Sequence, residues 1–258
     1  MGFFEAALLG VIQGLTEFLP VSSSGHLVVF QHLLGFREPE LFLDSALHVG
    51  TLVAVCIFFR RDLKEMTTAT LRLRMDDPQT RLVAAVLIGS IPTALIGLVF
   101  KEPLEALFAS VSTVGMMLIM TGIVLTLTGF VSKNHARLSS VPWYAALAVG
   151  VAQGLAITPG ISRSGATIAA GLFLGLNREL AGRYSFLLAI PAIFGALLLQ
   201  LGAENLGSAG LLPVAAGFCT AALVGLFALK VLMAVVRQGR LAYFAPYCFA
   251  LGATILIF

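Results

Sequence analysis

The sequence is poor in charged residues. Only 11% of its 258 residues are Asp, Glu, Lys or Arg, and 59% are hydrophobic, whereas soluble domains carry about 25% charged and ~45–50% apolar residues. This scarcity excludes an ordinary soluble domain, and a mean hydropathy of +0.98 places the chain among integral membrane proteins. The net charge is only +3. Its basic residues lie between apolar segments and form no stripe, which excludes a nucleic-acid-binding surface.

Cysteine is also scarce. Cys56, Cys219 and Cys248 each lie in an apolar segment, and none belongs to a CxxC or Cys/His pattern. The sequence therefore predicts neither a disulfide framework nor a zinc site. The opening residues MGFFEAALLG contain no basic residue and no small-residue cleavage pattern, so we expect no cleavable signal peptide.

Long apolar segments account for most of the chain. A helix that crosses a bilayer needs ~20 mainly apolar residues. Six segments meet this requirement, at about 41–59, 82–100, 111–131, 184–203, 211–232 and 241–258. Two more apolar regions, about 2–36 and 142–176, are interrupted by LPVSSSGH and TPGISRSGAT. Half-helices of ~10–15 residues cannot cross a ~30 Å core, so each region predicts a re-entrant hairpin that protein must shield.

The distribution of Lys and Arg agrees with this layout. Basic residues cluster in segments 60–81, 132–141 and 230–240, whereas 101–110 contains only Lys101 and 202–210 contains none. Basic loops stay in the cytoplasm. If both interrupted regions are re-entrant, every loop falls on its expected side. The first hairpin then enters from outside and the second from the cytoplasm.

An internal repeat leads to the same layout. GVIQGLTEFLPVSSSG (10–25) and GVAQGLAITPGISRSG (150–165) align without a gap and are identical at half of their positions. Each half, about 1–135 and 136–258, then has one hairpin and three crossings, an odd number that gives the halves opposite topology. The sequence predicts an all-α integral membrane protein with a single domain over 1–258. This domain is an inverted repeat whose two breaks meet near the midplane.

The first break carries a cluster of polar residues inside an apolar region. Gln13 and Glu17 are four residues apart and share a helix face. Pro20 cannot continue the helix, and His26 follows one turn after the serines. The residues that can cap the next half-helix are Ser22, Ser23 and Ser24.

The second break repeats this arrangement. Pro159 and Gly160 interrupt the helix, Ser162 is a candidate N-cap, and Arg163 and Ser164 lie in the first turn. Two half-helix N-termini that face each other favour an anion, because their free N–H groups and dipoles point at it. The planar guanidinium of Arg163 suits phosphate oxygens. The two breaks together therefore predict a phosphate-binding site.

Each of these residues also has a simpler interpretation. The serines can serve only as helix caps, and Glu17 and Arg163 can form a buried ion pair that joins the hairpins. His26 can be a packing residue, although its neighbouring serines favour a site. For His48, which has no such neighbours, we expect packing or loop solvation. Because an ionised group in a bilayer is costly, function is the default hypothesis for Glu17 and Arg163.

The motifs QGLTEFLPVSSSGH and PGISRSGAT, in this order and at this separation, resemble the bacterial undecaprenyl-diphosphatase family, which is linked to bacitracin resistance. The resemblance covers essentially the whole chain, although many members have Glu where this chain has Gln13. It implies hydrolysis of undecaprenyl diphosphate to the monophosphate and inorganic phosphate, which recycles the lipid carrier of peptidoglycan synthesis. It also implies a divalent cation, Mg²⁺ or Ca²⁺, and an inner-membrane site that opens outward. The expected partners are the substrate and bilayer lipid, and we allow for a homodimer.

The resemblance also carries roles to residues of this chain. The expected catalytic residues are Glu17, Ser23, His26 and Arg163. We expect Glu17 to hold the cation, Ser23 to attack phosphorus and His26, on the same helix face, to act as its base. Attack by water, activated by His26 or Glu17, stays open. The expected substrate-binding residues are Gln13, Ser22, Ser24, Ser162, Ser164, Gly165 and Thr167.

Two other functions fit the same layout. Inverted repeats with broken helices are the architecture of secondary transporters, so the anion site could carry a prenyl phosphate lipid across the membrane. A lipid-binding scaffold without turnover is a third candidate. The Ser, His and Glu set favours the enzyme, because a carrier does not need it, and phosphate release by purified protein separates the three.

Overall fold

A computed structural model describes residues 2–33, 41–72, 76–108, 110–131, 138–201 and 210–257. These residues form helices, with one isolated bridge between Leu138 and Leu176. The helices are α1 (Phe3–Phe18), α2 (Ser23–Leu33), α3 (Leu41–Phe58), α4 (Arg60–Leu71), α5 (Pro78–Val99), α6 (Lys101–Phe108), α7 (Val111–Thr128), α8 (Trp143–Leu155), α9 (Arg163–Phe173), α10 (Arg178–Leu201), α11 (Leu211–Gln238) and α12 (Ala245–Ile257), with a 3₁₀ turn at Leu241–Phe244.

Helices long and apolar enough to cross a bilayer are α5, α7, α10 and α11. The pair α3 and α4 supplies a fifth candidate, but the chain bends by 73° between them. The turn and α12 together, Leu241–Ile257, form a shorter apolar segment. The prediction of an all-helical, multi-pass membrane protein is therefore confirmed. Two details were not predicted: α4 lies in the expected basic loop, and α6 in the expected loop 101–110.

Local sequence explains where several helices begin and end. The Asp77 carboxylate accepts the Gln79 N–H at 2.8 Å, and Pro78 occupies the first turn of α5, where its missing N–H costs nothing. Ser110 caps α7 by accepting the Thr113 N–H at 3.2 Å. These caps fix the starts of two spans beside the hairpins.

Both predicted breaks are present. The first separates α1 from α2 at residues 19–22, and the second separates α8 from α9 at residues 156–162. Ser22 is in the left-handed region with φ of 68°, a conformation that costs a non-glycine residue energy. The equivalent Ser162 has φ of −75°. The chain therefore leaves the two breaks by different backbone paths.

Each hairpin packs its first helix against a span from the other half of the chain. α1 runs parallel to α11, and α8 runs parallel to α5, as the order of their contacts shows. A Cβ on Gly10 would overlap the carbonyl of Gly217, and one on Gly150 would overlap the carbonyl of Gly89. These two repeat-equivalent glycines allow the helices to approach closely.

The described parts of the basic segments meet at one end of the bundle. Arg183 pairs with Asp62 and donates to Gln79 at 2.9 Å. Arg237 pairs with Glu179 at 3.1 Å. The residues Lys133 and Arg137 of the third basic segment lie outside the described residues. The contacts agree with segments 60–81 and 230–240 sharing one side of a membrane.

Candidate active site

The carboxylate of Glu17 joins the two breaks. It is buried near the end of α1 and accepts the Arg163 Nη2–H at Oε1, over 2.5 Å. Its other oxygen, Oε2, accepts the hydroxyl of Ser23 at 2.7 Å and the Gln13 amide at 3.0 Å. The structure therefore brings four of the predicted residues together. Arg163 lies 140 or more positions after the other three in the sequence.

The guanidinium of Arg163 is only partly paired. Its Cζ lies 5.9 Å from the ring centroid of Phe186 on α10, and its side chain is 15% exposed. Its second terminal nitrogen, Nη1, is buried without a hydrogen-bond partner among the described residues. A buried charged donor without a partner is costly, so this nitrogen is suited to donate to an oxygen of a bound anion.

The two half-helices begin with the same cap. Ser22 Oγ accepts the Gly25 N–H at 3.4 Å, and Ser162 Oγ accepts the Gly165 N–H at 3.1 Å. Each cap also contacts the serine two positions later, Ser24 or Ser164, at 3.3 Å. The interpretation of these serines as caps therefore holds for Ser22 and Ser162.

The two caps also face each other. A Cβ on Gly25 would lie 3.7 Å from Cα of Gly160, and one on Gly165 would lie 3.2 Å from Cβ of Pro20. Each half-helix thus starts against the break of the other hairpin. Two N-termini converge there, which favours bound negative charge.

Threonine and serine hydroxyl groups form hydrogen bonds around the second break. Thr121 on α7 donates to the Gly160 carbonyl at 3.0 Å and accepts the Ser162 N–H at 3.1 Å. Thr167, expected as a substrate donor, is buried and donates to the Arg163 carbonyl at 2.8 Å. It also contacts Ser185 at 2.5 Å. The Thr167 hydroxyl therefore already has hydrogen-bond partners within the protein.

His26 is not paired with Ser23. Its Nδ1 lies 2.8 Å from the Ser22 carbonyl oxygen, and its Nε2 lies 2.7 Å from the hydroxyl of Tyr247 on α12. The expectation that His26 faces Ser23 as its base does not describe this structure. The acceptor of the Ser23 hydroxyl is Glu17.

His48 does belong to the site, contrary to the expectation of packing or loop solvation. Its Nε2 lies 3.9 Å from Glu17 Oε2, and its Nδ1 lies 2.7 Å from the Asp44 carbonyl oxygen. Its side chain is 34% exposed, whereas that of Glu17 is 7% exposed. The sequence feature that could have indicated a role for His48 is its position, as an ionisable residue, within an apolar span. Sequence reasoning also missed Tyr247, Thr121, Ser185 and Phe186.

The residues around Glu17 offer few ligands for a cation. The described residues contain no group of three or more His, Cys, Asp or Glu that could hold a metal. Besides the carboxylate, the amide oxygen Oε1 of Gln13 is buried and has no hydrogen-bond partner among them. Two hard oxygen ligands suit Mg²⁺ or Ca²⁺. They fit a cation that takes most of its ligands from substrate and water.

Comparison with known proteins agrees with these motifs. The family model for the bacitracin resistance protein BacA matches residues 6–254. The chain belongs to this family. The match includes both breaks and every residue named above at the site.

Individual relatives are similar over their full length. An undecaprenyl-diphosphatase of Desulfatibacillum aliphaticivorans is 49% identical over 100% of this chain and 99% of its own. One of Desulfosudis oleivorans is 49% identical over 98% of this chain and 97% of its own. One of Carboxydothermus hydrogenoformans is 45% identical over 100% and 97%, respectively. Family membership therefore extends to the whole chain.

Proposed function

We propose that this protein is a membrane-bound undecaprenyl-diphosphatase, which hydrolyses undecaprenyl diphosphate to undecaprenyl phosphate and inorganic phosphate. The names of the relatives support this substrate and reaction. The observation that carries the proposal is the unpaired buried Nη1 of Arg163, beside the hydrogen-bonded Ser23 and Glu17. In a bacterium, this reaction recycles the lipid carrier of peptidoglycan synthesis and confers resistance to bacitracin.

The diphosphate lies between the starts of α2 and α9. Arg163 Nη1 donates to an oxygen of the terminal phosphoryl group, and N–H groups of the first turns supply further donors. Donors that are already fixed in place stabilise the charge that develops during phosphoryl transfer. The prenyl chain extends along apolar helix faces into lipid.

Ser23 is the nucleophile in this mechanism. Its 2.7 Å hydrogen bond to Glu17 Oε2 supports Glu17 as the group that receives its proton. The serine oxygen bonds to the terminal phosphorus, and the bond from that phosphorus to the bridging oxygen breaks. Undecaprenyl phosphate leaves, and water then hydrolyses the phosphoserine to inorganic phosphate. Glu17 and the Gln13 carbonyl would hold Mg²⁺ or Ca²⁺, which would neutralise charge on the diphosphate oxygens.

The topology is part of the proposal. The two halves form an inverted repeat, with α1–α2 entering from the outer side and α8–α9 from the cytoplasm of a bacterial inner membrane. The parallel pairs α1 with α11 and α8 with α5 support opposite orientations. The basic end supports a cytoplasmic position for α4, and the site opens outward. Single cysteines at Lys64 and Ser24, in a chain without native cysteines, test these sides with a membrane-impermeant thiol reagent. Labelling of the Lys64 position from outside would contradict the orientation.

The activity is tested with purified protein in liposomes. Wild type should release phosphate from undecaprenyl diphosphate, Glu17→Ala should not, and EDTA should stop turnover until Mg²⁺ or Ca²⁺ is restored. Mass spectrometry of acid-quenched protein should find phosphate on Ser23. Absence of phosphate release by wild type would exclude the enzyme. Turnover without phosphorylated Ser23, retained in Ser23→Ala, would favour attack by water.

A further inference from the structure

α12 contributes a hydroxyl to the first break that the proposed mechanism does not use. The hydroxyl of Tyr247 lies 2.7 Å from Nε2 of His26, 221 positions earlier in the chain. The two rings are nearly parallel, with an interplanar angle of 8° and centroids 5.7 Å apart. His26 is buried, whereas Tyr247 is 48% exposed. The exposed phenol therefore covers Nε2 of the buried imidazole.

The hydrogen bonds of His26 have a defined direction. A carbonyl oxygen can only accept, so the imidazole Nδ1 that lies 2.8 Å from the Ser22 oxygen carries a hydrogen and donates it. In a neutral imidazole the other nitrogen is then an acceptor. Toward a neutral imidazole, Tyr247 therefore donates its hydroxyl hydrogen to Nε2. The imidazole is held from both sides, with its acceptor atom covered by the phenol.

α12 is itself anchored to the same break. The residue next to Tyr247, Cys248, is buried, and its thiol lies 3.5 Å from the Pro20 carbonyl. Two consecutive residues of α12 thus contact Pro20 in the break and His26 in α2. This places the phenol at a fixed position relative to the start of α2.

We propose that Tyr247 is a positioning residue for His26. It holds the imidazole in one orientation by donating to Nε2, the nitrogen that the Ser22 contact leaves as the acceptor. Through this nitrogen His26 accepts a proton from the water that hydrolyses the phosphoserine, the step to which we assign its acid–base role. The inference rests on the proposed phosphatase activity. The hydrogen bond itself can be tested without turnover.

Tyr247→Phe removes only the hydroxyl, and Tyr243→Phe is the matched control, because Tyr243 is exposed and its ring lies near Arg240. Diethyl pyrocarbonate acylates unprotonated imidazole nitrogens. We expect it to modify His26 several times faster in Tyr247→Phe than in wild type or in Tyr243→Phe. Peptide mass spectrometry reads each site, and His48 in the same molecules is the reference. Equal acceleration at His48 would mean that the fold has loosened, which would contradict the proposal.

Kinetics supply the second readout. Tyr247→Phe should lower kcat about tenfold, a part of the ~10²–10⁴-fold that acid–base catalysis contributes, with KM unchanged. In a His26→Ala background the same change should alter kcat less than about twofold, because two residues that act through one contact are not additive. A comparable loss in both backgrounds, or a change in KM alone, would overturn the proposal.

The two inferences fail in different ways. If the chain were not a phosphatase, wild type would release no phosphate, but His26 would still be protected by Tyr247. If Tyr247 did not position His26, wild type would be active, and the Tyr247→Phe variant would match it in both labelling and kcat.

Discussion

The two breaks have the same scaffold and different functional groups. Each has a capping serine bonded to a glycine N–H three residues later, and a second serine 3.3 Å from the cap. Position 23 of the first break is Ser, however, and the equivalent position 163 is Arg. Position 17 is Glu, and the equivalent position 157 is Ile. The repeat therefore explains the shared caps, and the divergence of its copies explains why the two breaks carry different functional groups.

The divergent positions meet at one carboxylate. The Ser23 hydroxyl donates a hydrogen bond to Oε2 of Glu17, and the Arg163 guanidinium donates one to Oε1. The two equivalent positions thus approach Glu17 from opposite hairpins. In the proposed mechanism, one carboxylate aligns the Ser23 nucleophile and the Arg163 guanidinium, which is possible because the two copies differ at this position.

The largest expected effect is at Ser23. Ser23→Ala should lower kcat by more than about 10³-fold, since no other group replaces the nucleophile. Ser90→Ala is the control, because its hydroxyl donates to its own helix at Val86. Phosphate release measures both. Substantial residual activity in Ser23→Ala would exclude this role and make the two breaks more alike than we propose.

Arg163→Lys tests the second break, where Arg163 is the equivalent of Ser23. The charge is kept but the planar fork is lost, so Nη1 has no equivalent, and we expect kcat to fall about 10²- to 10³-fold, as for other lost transition-state donors. Arg183→Lys, in the ion pair with Asp62 at the other end of the bundle, should keep kcat. A near-normal kcat in Arg163→Lys would contradict phosphate binding by the guanidinium.

A third comparison concerns two buried amides. Gln13 and Gln153 are equivalent, and Oε1 of each is buried without a partner among the described residues. Gln13 contacts Glu17, whereas Gln153 contacts Thr93 at 3.2 Å. Gln13→Ala should lower kcat about tenfold and raise the Mg²⁺ concentration needed for activity, within the ~10–100-fold loss seen when groups that support a metal site are removed. Gln153→Ala should cost only stability, about 1 kcal/mol. Equal loss of activity in both variants would mean that both halves serve catalysis.

The sequence predicted what depends on neighbouring residues. Proline, glycine and serine marked the breaks and their caps, and the repeat predicted that two distant segments would meet. The sequence did not show that His26 contacts the Ser22 carbonyl and Tyr247 of α12, and its role as the base for Ser23 stays a prediction. His48, Tyr247 and Phe186 reach the site from α3, α12 and α10 through tertiary packing. No local pattern records those contacts.

The smallest expected effect separates the two caps by stability alone. Ser22 has φ of 68° and Ser162 has φ of −75°. Replacing Ser22 by Gly removes a left-handed strain of ~1–2 kcal/mol and costs a few tenths of a kcal/mol as a cap, so the thermal midpoint should stay or rise. Ser162→Gly relieves no strain and costs the same few tenths of a kcal/mol as a cap, so its midpoint should fall slightly and lie below that of Ser22→Gly. Thermal unfolding in detergent compares them, with Ser22→Ala expected below both because it loses the cap and keeps the strain. If Ser22→Gly were destabilised as much as Ser162→Gly, the left-handed backbone would store no strain, and the two breaks would differ only in the side chains they carry.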